Sequence, residues 1–216
     1  MKSENLMIID PSLEIPEIES YNNISLRSPL KTTYHLPAIH SPNTMTKNFA
    51  DAKGIILMGS AASVHDSYPW LTTLEGIIKN AIQKHIPILG ICFGHQFLAH
   101  IFGGTVDTLW QNSKKMGVRK VKVLQNNLLE KSKTDFLIYS HREGVVKCPA
   151  NFEIAATSNM VNIEGLIHKT LPIWTFQPHI EASKTFSRRI GLSADEFDKC
   201  DFFGKQLLKS FLNKLK

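Results

Sequence analysis

The sequence predicts an α/β protein: a mainly parallel sheet flanked by helices, with a small antiparallel extension. Three observations carry that expectation. Short, uninterrupted apolar runs recur at 6–9, 54–58, 87–92 and 171–176, the pattern of strands buried on both faces of a parallel sheet. Stretches with helical spacing of apolar residues alternate with these runs, as at 68–84, and such alternation places helices over the sheet. After Gly103-Gly104 the texture changes to short strand-like pieces joined by polar turns, which fits antiparallel or mixed pairing better than further strand–helix–strand units.

In chain order, Leu6-Met7-Ile8-Ile9 reads as a first buried strand, ended by Asp10-Pro11. Over 15–26, Ile15, Ile18, Tyr21 and Ile24 recur near helical spacing with Pro16 near the start, which predicts a helix. Residues 32–36 are β-branched and aromatic and stop at Pro37, so a second strand is expected there. The run at 54–58 leads into Gly59-Ser60-Ala61-Ala62-Ser63, and a helix over 68–84 follows, with Leu71, Leu74, Ile77, Ile78 and Ile82 on one face. The strand at 87–92 comes next, then an amphipathic segment over 95–102. Strand-like pieces are expected at 105–106, 118–124, 136–139, 152–156 and 165–168, and an apolar strand returns at 171–176. Helical segments close the chain at 184–190 and 193–215, the second opened by the capping box Ser193-Ala194-Asp195-Glu196. The 216 residues hold no repeat or linker and fit a single domain, 1–216.

Composition removes several classes of function. An apolar content of 43% and a charged content of 20% are those of an ordinary soluble globular protein. The net charge of +6 invites a nucleic-acid reading, but the basic residues are scattered, and Lys205, Lys209, Lys214 and Lys216 fall mostly on one side of the last expected helix. That is the pattern of a solvated helix face, so no nucleic-acid partner is expected. Cys92, Cys148 and Cys200 show no framework spacing, which suits a reducing compartment. Residues 1–10 contain Glu4 and Asp10 beside one short apolar run, unlike a signal peptide. Nothing approaches the roughly 18 apolar residues of a membrane span. The expectation is a cytoplasmic protein with no membrane partner.

Chemistry concentrates at Pro87-Ile88-Leu89-Gly90-Ile91-Cys92-Phe93-Gly94-His95-Gln96. An apolar strand ends at a cysteine with a glycine two residues to either side, the pattern of a nucleophile elbow. The strained turn needs residues without clashing side chains two before and two after the nucleophile, and Gly90 and Gly94 meet that need. Cys92 then heads a helix, where free N–H groups and the dipole favour a thiolate. A bare G-x-C-x-G also fits a buried cysteine between incidental glycines; the apolar strand before it and His95-Gln96 after it favour the elbow. A thiol nucleophile needs a base, and the base an orienting group. His179 and Glu181 stand one residue apart directly after the strand at 171–176, and extended backbone would project both to one side. Cys92, His95 and His100 lack the second pair that would complete a zinc site, so no metal is expected. In open parallel sheets the site lies beyond the carboxyl ends of the strands, where Gly59-Ser60 and Cys92 both fall.

The stretch Gly90-Ile91-Cys92-Phe93-Gly94-His95-Gln96 is similar to the signature of class I, triad-type glutamine amidotransferases, the Cys-His-Glu family that hydrolyses glutamine to supply ammonia. Residues Phe152-Glu153-Ile154-Ala155-Ala156-Thr157-Ser158-Asn159 further resemble the amidotransferase part of GMP synthases, and the similarity runs over roughly 54–182. The resemblance implies a flavodoxin-like or Rossmann-like fold, L-glutamine as substrate and no cofactor. It makes Cys92 the nucleophile, His179 the general base and acid, and Glu181 the orienter, with a γ-glutamyl thioester as intermediate. One oxyanion donor is expected at the N–H of Phe93, directly after the nucleophile; the resemblance puts the other at Ser60, beside Gly59. It gives substrate contacts to Gly59, Gln96 and the loop Ser140-His141-Arg142.

This sequence departs from that pattern in three places. Ile180 stands where relatives carry proline between histidine and glutamate. Ser60 and Ala61 replace a glycine and a proline, and a Ser60 forced into a glycine-only conformation would weaken the activity. Arg142 replaces a glycine. The chain shows no acceptor half and no Ser-Gly-Gly-x-Asp-Ser loop of an ATP pyrophosphatase, so the resemblance implies either a separate synthase chain as the ammonia acceptor or free release of ammonia. Two alternatives stand beside it: a hydrolase of other γ-glutamyl amides or peptides, and a non-catalytic binding or regulatory module that keeps the fold.

Overall fold

The apolar runs become the parallel half of a nine-stranded sheet. The computed structural model describes residues 4–216; Met1-Lys2-Ser3, part of the expectation about the N-terminus, lie outside the described residues. Strand β1 (Asn5–Ile9) pairs in parallel with β2 (Lys31–His35) and β3 (Ala52–Leu57), and β3 continues into β4 (Ile88–Ile91) and β11 (Ile173–Phe176). Every residue of β1, β4 and β11 is buried. Alternation along the strands splits each run between two cores. Met7, Ile9, Ile55, Leu57 and Ile88 join α3 (Pro69–Gln83) and α4 (Phe93–Ile101) on one face, while Leu6, Ile8, Ile56, Leu89 and Ile91 join α6 (Ala194–Leu212) on the other.

Beyond β11 the neighbours are antiparallel: β10 (Gly165–His168), β9 (Phe152–Ser158), β6 (Lys115–Val123) and β7 (Lys133–His141). The strand order across the whole sheet is β2-β1-β3-β4-β11-β10-β9-β6-β7. A separate ribbon pairs β5 (Thr105–Thr108) with β8 (Glu143–Lys147). The change in texture after Gly103-Gly104 thus marks the passage from parallel to antiparallel pairing. Helices α1 (Ile18–Ser25) and α5 (Lys184–Arg189) lie near the expected positions. The Ser193–Glu196 capping box closes in both directions at the start of α6.

Three features depart from expectation. Helix α2 (Asn43–Asn48) has no signal in the sequence, because Asn and Thr are poor helix formers and Met45 is its only buried residue. Strand β8 is only five residues long and includes Gly144, too little for a period-2 signal. Helix α4 shows no solvated face over most of its length: Phe93 to Ala99 are all buried, because β4, β5, β8 and β11 pack about it. What positions the site is the convergence of four strand ends. Strand β1 ends at Asp10, β3 at the Gly59 loop, β4 at Cys92, and β11 leads to His179 and Glu181. Among the described residues no helix is long and apolar enough to cross a membrane.

Candidate active site

Cys92 alone makes the junction between β4 and α4, at φ 52° and ψ −102°. A residue with a β-carbon is strained there, and the surroundings over-determine the turn. The Cys92 N–H donates to Phe176 O at 2.8 Å, and its carbonyl accepts from Gln96 N–H at 3.1 Å. The two glycines permit the close approach that follows. A β-carbon on Gly94 would lie 2.2 Å from Leu57 O, and one on Gly90 2.6 Å from Gly94 O. Phe93 opens α4, and first-turn N–H groups have no partner within their helix.

His179 and Glu181 face the same place, but not through extended backbone. After β11 the chain turns, with Ile180 N–H donating to Pro178 O at 3.1 Å and Ala182 N–H to His179 O at 3.4 Å. Ile180 is buried in the core beneath α6, and pinning it there throws the two flanking side chains outward together. His179 N–H also donates to Ile138 O of β7 at 2.8 Å. The ring's Nδ1 lies 2.9 Å from Glu181 Oε1, and the Phe186 ring packs 4.5 Å from it. Burial pulls the imidazole pKa down, but the Cys92 and Glu181 charges, with hydrogen bonds to both, outweigh it and hold it raised at about 10.

Gly59 sits against both partners. A β-carbon there would lie 2.7 Å from His179 Cε1 and 3.4 Å from Cys92 Cβ. Ser60 does not take a left-handed conformation; among the described residues positive φ is confined, outside glycine, to His85, Cys92, Trp110, Gln111 and Asn112. The Ser60 hydroxyl donates to Pro11 O at 2.6 Å and accepts from Ala62 N–H at 3.0 Å. The serine therefore ties its loop to the segment after β1, which Asp10 braces in turn by accepting from Ser12 and Glu17 N–H groups at 3.0 and 2.7 Å. Neither Ser60 nor Phe93 N–H has an acceptor among the described residues.

Two cavities meet at this place. The smaller, about 180 Å³, is lined by Cys92, Gln96, Ser140, His141, Arg142 and Glu143 among others. Gln96 Nε2 donates to Glu143 O at 2.7 Å and to Gln177 Oε1 at 3.1 Å, which leaves its Oε1 without a protein partner among the described residues. His141 is a buried hub rather than an exposed contact. Its Nε2 lies 3.3 Å from Arg119 Nη1 and its Nδ1 2.8 Å from Glu143 O. Burial, with the Arg119 charge, lowers its pKa to about 3, so the ring is neutral, donates from Nδ1 and accepts at Nε2. Arg142 is exposed, and its carbonyl accepts from Leu109 N–H at 2.7 Å. The larger cavity, about 410 Å³, is lined by His179, Glu181 and Gly59; it shares Ser60, Ala61, Lys114 and Ser140 with the smaller one.

Several residues at the site carry no motif. Trp110, Gln111 and Asn112 are left-handed in succession, a costly arrangement without glycine. Trp110 packs 5.1 Å from the His141 ring and 5.5 Å from the Arg119 guanidinium. This loop brings Asn112 and Lys114 to the smaller cavity. Beneath it Arg119 forms a buried ion pair with Glu164 at 2.6 Å. No cluster of His, Cys, Asp and Glu able to hold a metal occurs among the described residues.

Comparison with known proteins identifies the family and the fold. Over 137 residues the chain is 35% identical to a subunit of the glutamine-hydrolysing GMP synthase of Methanococcus aeolicus, covering 62% of this chain and 68% of that one. It is 33% identical over 156 residues to the corresponding subunit of Methanococcus maripaludis, covering 69% and 77%. The fold matches a putative GMP synthase subunit from Thermoplasma acidophilum at a TM-score of 0.77 and 20% identity, over 100% of this chain and 95% of that one. A glutamine amidotransferase from Thermotoga maritima matches equally, at 0.77 and 20%, over 100% and 99%. The family model of class I glutamine amidotransferases covers residues 18–193, and the chain belongs to that family.

Proposed function

We propose that the protein hydrolyses L-glutamine to glutamate and ammonia through Cys92, His179 and Glu181. The observation that carries this is the strained Cys92 turn beside an imidazole held in its charged form by Cys92 and Glu181. The Cys92 thiolate attacks the carboxamide carbon, and the developing oxyanion is met by the free N–H groups of Ser60 and Phe93. His179 gives its proton to the departing nitrogen, and the C–N bond breaks to leave a γ-glutamyl thioester. Water then adds to the thioester, the thiolate leaves, and the proton passes back to His179.

The smaller cavity supports a role in holding the amino-acid end. Glu143 offers a carboxylate to the ammonium group, Arg142 a cation to the carboxylate, and Gln96 its free Oε1. Ser140 stands beside them, and His141, with both nitrogens engaged, acts as a positioning residue. The relatives named as subunits of glutamine-hydrolysing GMP synthases support an ammonia acceptor on a separate synthase chain.

The test is glutamate release from L-glutamine by the purified protein, with mass spectrometry after exposure to the diazo-ketone analogue of glutamine. Turnover with the label on Cys92 is expected; no glutamate and an unlabelled Cys92 overturn the reading. A second prediction concerns pH. The form that protonates the departing nitrogen is imidazolium, lost as pH rises through the raised pKa of His179, near 10. Glu181→Gln removes one of the charges that raise it. The alkaline limb of kcat should therefore move to lower pH, with a loss of about tenfold at neutral pH from disordered ring orientation. An unmoved alkaline limb in a full pH–rate profile would count against Glu181 as the orienting group.

A further inference from the structure

One buried carboxyl group at the strand ends has no part in the chemistry above. Asp10 is fully buried, and the oxygens of a buried carboxyl need partners. Its Oδ1 accepts from the Ser12 N–H and hydroxyl, and its Oδ2 from the Tyr34 hydroxyl at 2.5 Å and the Glu17 N–H at 2.7 Å. Asp10 thereby fixes the backbone just ahead of α1. The Glu17 carboxylate in turn pairs with Arg189 of α5, and Glu19 Oε2 accepts from the Thr185 N–H at 3.0 Å. Helices α1 and α5 are clamped at both points, and α5 begins at Lys184, directly after the Glu181 turn.

What α5 presents to the site is Phe186. Its ring lies 4.5 Å from the His179 imidazole at an interplanar angle of 39°, and the Arg189 guanidinium lies 5.5 Å from the same ring. Phe186 also packs in the small core of Ile138, Phe197 and Cys200, and Ile138 O holds the His179 N–H. The titratable groups that face His179 are Cys92 at the β4–α4 junction, Glu181 in its own turn and His141 of β7. His141 is neutral and adds no charge. Cys92 and Glu181 engage the ring through its nitrogens, and bonds at two nitrogens leave a ring free to tip about the line that joins them. A surface against the flat of the ring removes that freedom, and an aromatic surface also attracts a desolvated cation.

We propose that Phe186 is a positioning residue for the reaction: anchored through the Arg189–Glu17 pair, its ring holds the charged His179 imidazole in the plane that joins Cys92 to Glu181. This rests on the assignment of His179 as the acid of glutamine hydrolysis. It gives Asp10, Glu17 and Arg189 a common task, which is to set the position of α5 and so of the Phe186 ring.

The experiment uses Phe186→Leu, which keeps an apolar side chain and removes the ring. The titration midpoint of His179, followed by the NMR signals of its imidazole, is expected to fall by about one pH unit, because the ring favours the charged form. Turnover of glutamine should fall about tenfold in kcat. KM should stay within about twofold of the parent, because Phe186 lines the larger cavity and not the smaller. A midpoint or a kcat that stays at the parental value overturns the proposal and leaves Phe186 as core filling. The pair Glu17→Gln with Arg189→Met removes the clamp without changing the net charge and lies nearer the surface, so it serves where Phe186→Leu loses stability. It should lower kcat about threefold in the parent and no further in Phe186→Leu. Parental kcat in this variant, or losses that add in the combined one, overturn the route through Arg189. The titration needs no substrate, so it decides on Phe186 even with no glutamate released and no diazo-ketone label on Cys92, the result that overturns the glutamine reading.

Discussion

Gly59→Ala is expected to lower glutamine turnover by about two orders of magnitude while leaving the protein folded. The added methyl would stand 2.7 Å from His179 Cε1 and 3.4 Å from Cys92 Cβ, and the shorter distance is below any real carbon contact. The ring has little room to yield. Glu181 holds its Nδ1, the Phe186 ring lies beside it, and its backbone is fixed to Ile138. The imidazole must therefore shift by several tenths of an ångström or swing off Glu181, and a misplacement of about 1 Å costs on the order of 10²-fold. Gly59 has no positive φ, so its backbone accepts alanine without strain. The melting temperature should stay within a few degrees of the parent, which separates misplaced chemistry from unfolding. A variant with parental kcat would show that His179 does not act from the position seen here.

The same glycine shows what the sequence could and could not reveal. The elbow was legible because a strained turn between strand and helix demands two residues without side chains at fixed offsets, and Gly90 and Gly94 stand there. Gly59 was legible only as part of a loop; that its missing β-carbon makes room for the His179 ring depends on a residue 120 positions further on. His179 and Glu181 were found for a partly wrong reason. Spacing brought them together, but the mechanism is a turn pinned by buried Ile180. The glycine-only conformation considered for Ser60 is not adopted: its backbone has no positive φ, and its hydroxyl ties the loop to Pro11. The Trp110 loop gave no signal at all, since left-handed backbone without glycine leaves no mark in composition. Arg119 did leave one. It lies in phase with Val121 and Val123 on the buried face of β6, while Lys120 and Lys122 alternate outward. A charge on the apolar side of a strand has to be paired or functional.

Arg119→Met is expected to destabilise the protein by about 3–5 kcal/mol, because it leaves the fully buried Glu164 carboxylate without its cation. For a chain of this size that corresponds to a fall in melting temperature of roughly 10 °C. Ser158 still donates to Glu164 Oε1 at 2.5 Å, a neutral bond that offsets only part of the lost charge. The ion pair itself is a poor source of stability. Arg119 Nε and Nη2 and Glu164 Oε2 have no partners among the described residues, so the pair bears much of its desolvation uncompensated. Replacing both members, as Arg119→Met with Glu164→Leu, should therefore restore most of the melting temperature. Activity should not return with it. The guanidinium also lies 3.9 Å from the Tyr139 ring, under Trp110, and within hydrogen-bonding distance of His141 Nε2. Without it neither the loop carrying Lys114 nor the His141-Arg142 turn is fixed, and KM for glutamine should rise about tenfold in both variants. A double variant with parental KM would make Arg119 a purely structural residue. A raised KM at restored stability would instead identify the buried pair as the support that sets the shape of the substrate cavity.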